Sequence, residues 1–386
     1  MNLGFYIILL AQFISALADN ALLFAAIALL QEMNSPDWFT PLLKWFFVLS
    51  YIVLAPFVGS FADAFPKGRV MFVSNAIKFS GSIAMLVGAP PLLAYGVVGI
   101  GAAAYSPAKY GILTEYLPPH MLVKANGWME GSTVMAIILG AFIGGKMASF
   151  DPHIAMIVIT VLYMIAAGFN MYIPKVPIDH KLQKRDPAYV LRDFWHSFKT
   201  LWKDGRGQVS LAVTTLFWGA GATLQFIVID WSKYTFGYQL DQANLLIMVV
   251  AVGIAVGSVL AARYVKLEHS LKVLPAGIVM GFLVVAMVFV HDWREACALL
   301  FFIGVLSGFF VVPLNALLQH RGHILIGAGH SIAVQNFNEN LGILLLIGVY
   351  TLMVKAEMNI HIIVIAFGLF VSLIMSIIYK HYRARC

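Results

Sequence analysis

Apolar runs of about 20 residues recur along the whole chain, separated by short polar breaks. Wound as a helix at ~1.5 Å per residue, such a run crosses the roughly 30 Å hydrocarbon core of a bilayer. The pattern predicts twelve spans, at residues 3–30, 40–62, 69–88, 92–117, 121–148, 152–173, 209–230, 242–263, 269–290, 294–317, 328–354 and 358–380. The first run exceeds the apolar core of a signal peptide and lacks a small-residue cleavage pattern after it, so it reads as the first span. One long polar connection, 174–208, separates two groups of six. Trp195 and Trp202, set among basic residues, predict an amphipathic helix there, lying on the membrane surface.

Composition agrees. Of 386 residues, 61% are hydrophobic and 11% charged, against about 25% charged in soluble domains. An all-α membrane protein is the expected fold class. The net charge of +7 comes from basic residues in short loops, which sets topology and argues against a nucleic-acid partner. Eighteen of the 25 Lys and Arg fall on one side of the spans, five on the other, and Lys78 and Lys109 inside them. The positive-inside rule makes the richer side cytoplasmic, with both termini and the 174–208 connection. Cys297 and Cys386 then lie on opposite sides, too far apart for a disulfide. No CxxC, zinc spacing or ATP-binding motif appears, and no nucleophile–base pair marks an enzyme. No cofactor is expected.

Six plus six spans around a basic loop is the plan of a transporter built from two parallel repeats: 1–173, a linker at 174–208, and 209–386. A Tyr105-Ser106-Pro107-Ala108 block in span four is echoed by Val312-Pro313-Leu314-Asn315 in span ten. Gly59-Ser60-Phe61-Ala62-Asp63, followed by Gly68-Arg69, resembles the loop motif of the major facilitator superfamily, although Ala64 stands where that motif has arginine. Leu139-Gly140-Ala141-Phe142-Ile143-Gly144-Gly145 resembles the glycine-rich motif of its exporters, without the usual proline.

Longer blocks are more specific. Ala18-Asp19-Asn20-Ala21-Leu22-Leu23-Phe24, Ala104 to Leu113, Leu216-Phe217-Trp218-Gly219-Ala220-Gly221, Val311 to Gln319 and Ala333-Val334-Gln335-Asn336 resemble the bacterial lysophospholipid transporter (LplT) family of that superfamily. The resemblance implies twelve transmembrane helices in two six-helix halves in the inner membrane. It implies transport of lysophospholipids from the periplasmic to the cytoplasmic leaflet. There a separate acyltransferase with acyl-carrier-protein synthetase activity reacylates them. A monomer among membrane lipids is expected. Gln225 stands where the resemblance leads one to expect an arginine, which weakens any role for it in gripping phosphate.

Asp19 is the leading candidate for the chemistry, because a carboxylate in mid-span costs several kcal/mol unless it meets water or a partner. Gln12, Ser15 and Asp19 share a helical face, with Asn20 beside it. Lys109 is its expected partner, with Lys109–Glu130 as a competing pair. Lys78 reads as a snorkelling or structural lysine, and Glu115 as solvated. Asn336, Glu339 and Asn340 form a polar face in span eleven, to which Gln225 and Trp218 of span seven are assigned. Asp63, with Arg69, is expected to latch the cytoplasmic side by meeting the helix start near Gly327-Ala328-Gly329. His320 and His323, with His330, are read as part of a flexible cytoplasmic loop, not a metal site. The rival readings are a proton-driven exporter of drugs or amphiphiles and a non-transporting scaffold.

Overall fold

A computed structural model describes residues 3–35, 39–177, 186–238 and 240–383. Lys181, Lys184, Arg185 and Cys386 lie outside the described residues. Every long element is a helix: α1 Leu3–Glu32, α2 Phe39–Ala64, α3 Lys67–Leu86, α4 Pro91–Tyr116, α5 Leu122–Phe150 and α6 Pro152–Asn170. Then come α7 Pro187–Lys203, α8 Gly205–Phe236, α9 Leu240–Tyr264, α10 Leu274–Ala286, α11 Trp293–Ile326, α12 Ala328–Lys355 and α13 Ile360–Arg383. Short 3-10 turns at Leu267–Val273 and Met287–Phe289 extend α10 at both ends.

Eleven described helical segments are long and apolar enough to cross a membrane. The expected third span is α3, which falls outside that set because Asn75, Lys78 and three serines dilute it. Its polar stripe is turned inward: Ser74, Asn75, Lys78 and Ser82 are all buried, and Ser82 shares a 2.6 Å hydrogen bond with Thr160 of α6. Polar residues point to protein and apolar ones such as Phe72 and Ile83 point out. That is the arrangement a lipid solvent favours.

Contacts divide the chain into two compact units. The first holds Met1–Pro118, Met135–Leu201 and Gly322–Phe337. Within it α3 packs on α4 and α6, α1 on α6, and α2 on α4. Its core includes Leu22, Leu43, Met85, Val98, Met156 and Tyr163. The second holds Pro119–Val134, Trp202–Arg321 and Asn338–Cys386, with α13 packed on α10 and α8.

Helix ends follow local chemistry. Asp151 caps α6 by accepting from the N–H groups of His153 and Ile154. Asp204 caps α8 through Gly207. Gly327, at φ +93°, makes the turn that lets α12 start one residue after α11 ends. That continuity corrects the loop expected around His320 and His323, which lie in the last turns of α11. Polar residues ended the hydropathy run there but not the helix. Gln319 exchanges amide hydrogen bonds with Asn126, and Arg321 pairs with Asp204. Helix α7 occupies the linker and buries Val190, Phe194, Ser197 and Leu201 along one face, leaving Trp195 exposed.

Candidate functional site

Helix α1 carries its acid, Asp19, as its seventeenth residue. Lys78 Nζ of α3 donates to Asp19 Oδ2 at 2.7 Å and to Ser15 Oγ at 3.0 Å. Tyr163 of α6 donates to the other carboxylate oxygen at 2.8 Å. Ser15 in turn donates to Asn75 Oδ1 at 2.7 Å. The ammonium lies 4.7 Å from the centre of the Tyr105 ring of α4, a cation–π contact. Lys78 is 1% exposed, whereas the Asp19 side chain keeps 19% exposure. The cation is therefore sealed in protein and the carboxylate is partly exposed. Space for the lysine stem comes from Gly101 of α4, where a Cβ would sit 2.7 Å from Lys78 Cγ.

A second buried cluster gathers on Asp63, near the C-terminal end of α2. Its two oxygens accept from the Gly329 and His330 N–H groups, at 2.7 and 3.0 Å, at the start of α12. This is the orphan-donor end of a helix, where a carboxylate gains most. Gly329 is required by the close approach, since a Cβ there would lie 2.6 Å from Asp63 Oδ1. Lys67 donates to Asp63 at 2.8 Å and pairs with Glu115 of α4 at 3.0 Å. The His330 ring bridges two carboxylates, with Nδ1 2.7 Å from Asp63 and Nε2 3.0 Å from Asp193 of α7. Carboxylate oxygens only accept, so a ring bonded to both carries both protons. The His330 hydrogen bond holds Asp193 below the usual carboxylate range.

Two more links are built from amides and acids. Ser106 of α4 and Asn336 of α12 bond at 2.9 Å in the first unit. In the second, Asn315 of α11 donates to Glu130 of α5 at 3.3 Å. Asp204 ties the start of α8 to Arg321. Burial works to raise its pKa, but the Arg321 and Gly207 hydrogen bonds outweigh this and leave it lowered. Among the described residues no three His, Cys, Asp or Glu side chains converge to hold a metal ion.

The profile of the Major Facilitator Superfamily matches residues 8–347. The lysophospholipid transporter LplT of Yersinia enterocolitica is 48% identical over 357 residues, 92% of this chain and 88% of that protein. LplT of Serratia proteamaculans is 48% identical over 350 residues, 90% and 88% of the two chains. LplT of Pectobacterium carotovorum is 46% identical over 355 residues, 92% and 87%.

The chain belongs to the LplT family of the Major Facilitator Superfamily.

Solved structures with this fold include the human organic anion transporter MFSD10, at TM-score 0.77 and 13% identity, covering 99% of this chain and 100% of that one. A bacterial homologue of the iron transporter ferroportin, in an outward-facing state, also scores 0.77, at 14% identity over 99% and 100% of the two chains. Identities this low speak for the fold alone.

Against this LplT-family frame the expected site needs several corrections. The cation bonded to Asp19 is Lys78, where Lys109 was expected. Lys109 lies 4.2 Å from the centre of the Tyr110 ring. The reason is packing: α3 lies against both α4 and α6, and Gly101 admits the Lys78 stem. Glu115 is not solvated; its side chain is 8% exposed and paired with Lys67. Asp63 meets the start of α12, as expected, but its cation is Lys67, while Arg69 is exposed. Asn20 bonds the Ala16 carbonyl of its own helix. Glu339 is buried on α12, Gln225 is exposed on α8, and Trp218 is half-buried. Sequence reasoning missed Tyr163, Lys67 and Asp193, and it read His330 as part of a loop where the structure sets it in α12 between two carboxylates. The Ser74–Lys78–Ser82 stripe at i, i+4, i+8 was a readable sign that α3 turns Lys78 inward.

Proposed function

We propose that this protein carries lysophospholipids, such as lysophosphatidylethanolamine and lysophosphatidylglycerol, from the periplasmic to the cytoplasmic leaflet of the inner membrane by alternating access. The observation that carries this reading is 46–48% identity, across about nine-tenths of the chain, to proteins named for that substrate. The site's chemistry supports it. A head group with phosphate and amine or glycerol needs a few charged and amide partners in mid-membrane, and a single acyl chain needs none. Asp19, partly exposed and held by Lys78 and Tyr163, supplies an acceptor for an ammonium or hydroxyl. Lys109, Asn336, Glu339, Glu130, Trp218 and Gln225 are assigned to the rest of the path.

The architecture proposed for this cycle is twelve helices in two six-helix halves, 1–173 and 209–386, with both termini and the α7 linker cytoplasmic. The basic-residue asymmetry supports that orientation. The Asp63 contact to α12 is proposed as a latch that joins the halves on the cytoplasmic side and releases as they rock. Lys67 and His330 set its charge. The protein is proposed to act as a monomer and to hand its product to a separate acyltransferase.

The test is reconstitution of the full chain in liposomes with labelled lysophosphatidylethanolamine, with and without a pH gradient, for wild type and Asp19→Asn. Wild-type transfer that is lost in the variant and indifferent to the gradient supports the reading. Transfer no faster than in empty liposomes overturns it, and strict dependence on the gradient favours the proton-driven exporter.

A further inference from the structure

Helices α8 and α12 of the second unit touch closely at one point and then part. At Gly219 an added Cβ would meet the Gly342 carbonyl oxygen at 3.0 Å, so the backbones are in contact there. One turn further along α8, beyond Thr223, a crevice of about 260 Å³ opens between α8, α12 and α13. Its floor is buried and almost wholly apolar, with Thr223, Ile227 and Ile363 each under 3% exposed. Its rim is exposed, at Val349, Ala366 and Phe370. At the far end Tyr350, on the crevice wall, donates its hydroxyl to Asp230, which stands one helical turn beyond Ile227. Asp230 is half-buried, and no part of the path assigned above uses it.

We propose that this crevice is the seat of the lysophospholipid's acyl chain, with Asp230 accepting a hydrogen bond from the free hydroxyl on its glycerol. This deepens the transport reading and rests on it. The volume holds roughly nine water-sized groups at ~30 Å³ each, the first part of one chain and not two. The glycerol hydroxyl lies next to the acyl ester in every lysophospholipid, whatever its head group. A diacyl phospholipid has a second ester there and no donor. A carboxylate bonded to the wall tyrosine at the far end of a one-chain crevice therefore selects on both differences, and a hydrogen bond to a charged acceptor is the stronger kind. At the matching place in the first unit, α1 and α5 approach closely at Gly140 and Gly144, where an added Cβ would lie 2.8 Å from Leu17 O and 2.5 Å from Ala21 Cα.

The experiment uses the full chain in phosphatidylethanolamine–phosphatidylglycerol nanodiscs. The probe is lysophosphatidylethanolamine carrying a diazirine on its acyl chain, with adducts mapped by peptide mass spectrometry. Adducts are expected on Ile227, Tyr350 and Phe367. Unlabelled lysophosphatidylethanolamine competes and added diacyl phosphatidylethanolamine does not. Ala366→Trp and Val349→Trp, which fill the crevice from its exposed rim, each abolish the adducts, and Asp230→Asn weakens competition about fivefold. The proposal is overturned if adducts scatter over lipid-facing residues such as Leu345 and Leu373, if diacyl lipid competes equally, or if both tryptophan variants label like wild type. Should one of these variants fail to fold, the other decides. Crevice labelling without liposome transfer sinks the transport reading and keeps the site. Transfer without crevice labelling sinks the site alone.

Discussion

Lys78 Nζ stands 2.7 Å from Asp19 Oδ2, with the lysine sealed in protein and the acid about one-fifth exposed, at 19%. Removing either partner leaves the other charged in a low-dielectric site, which costs about 3–5 kcal/mol. Lys78→Met and Asp19→Asn are each expected to lower the melting temperature in detergent. The double variant recovers most of that loss, because no lone charge remains. Transport of lysophosphatidylethanolamine stays lost in the double variant. Recovery of transport along with stability would make the pair purely structural.

Asp63 holds the first turn of α12 through two backbone N–H groups, and Lys67 neutralises it. Asp63→Asn keeps the size but loses the charge on those bonds, at about 2–3 kcal/mol. A cysteine at buried Ala328, with Cys297 and Cys386 replaced by serine, is expected to react faster with a water-soluble maleimide in this variant than in the parent. An unchanged rate would remove the latch role. Gly329→Ala tests the same contact by crowding, since the added methyl meets Asp63 Oδ1.

Asp193 ties the linker helix α7 to His330. Its pKa is lowered in the folded protein, chiefly by that hydrogen bond. A depressed carboxylate stabilises above its unfolded pKa of ~3.9, and the gain is lost as pH falls through the lower folded value. Hydrogen exchange over 187–203 is therefore expected to be slow and flat from neutral pH to about 5, then to accelerate, after correction for intrinsic rates, in the acid range below ~4. Asp193→Asn brings faster exchange to neutral pH. Equal exchange in both proteins at neutral pH would show that Phe194 and its apolar neighbours alone dock the helix.

Asn126 and Gln319 exchange two amide hydrogen bonds of 2.9 Å inside the second unit. Asn126→Ala strands a buried amide and is expected to cost about 1–3 kcal/mol. The double variant Asn126→Ala with Gln319→Ala should cost less than the sum of the single ones, by thermal melt. Strict additivity would mean that the pair is not coupled.

Much of the architecture was legible because hydropathy is a property of local composition. The length of α1 near Leu3–Glu32, the amphipathic α7 and the break before α8 all follow from which side chains are apolar. The exceptions are instructive. Helix α11 runs on through Gln319, His320, Arg321 and His323, with Gln319 bonded to Asn126 and Arg321 paired with Asp204. A run of polar residues ends a hydropathy window, but it does not end a helix.

The sequence by itself determined that the chain lives in lipid, roughly where its helices cross, and that Asp19 and Asp63 had to find partners. A buried carboxylate carries that demand wherever it lies. Only the tertiary structure decided who the partners are. Lys78 displaced Lys109 because Gly101 lets its stem pass, and Lys67 displaced Arg69 because it opens α3 just across the break from Asp63 and faces inward. His330 and Asp193 met from helices more than a hundred residues apart. Periodicity tells which face of a helix is polar, but the partner on that face is set by how helices pack, and packing is a property of the whole chain.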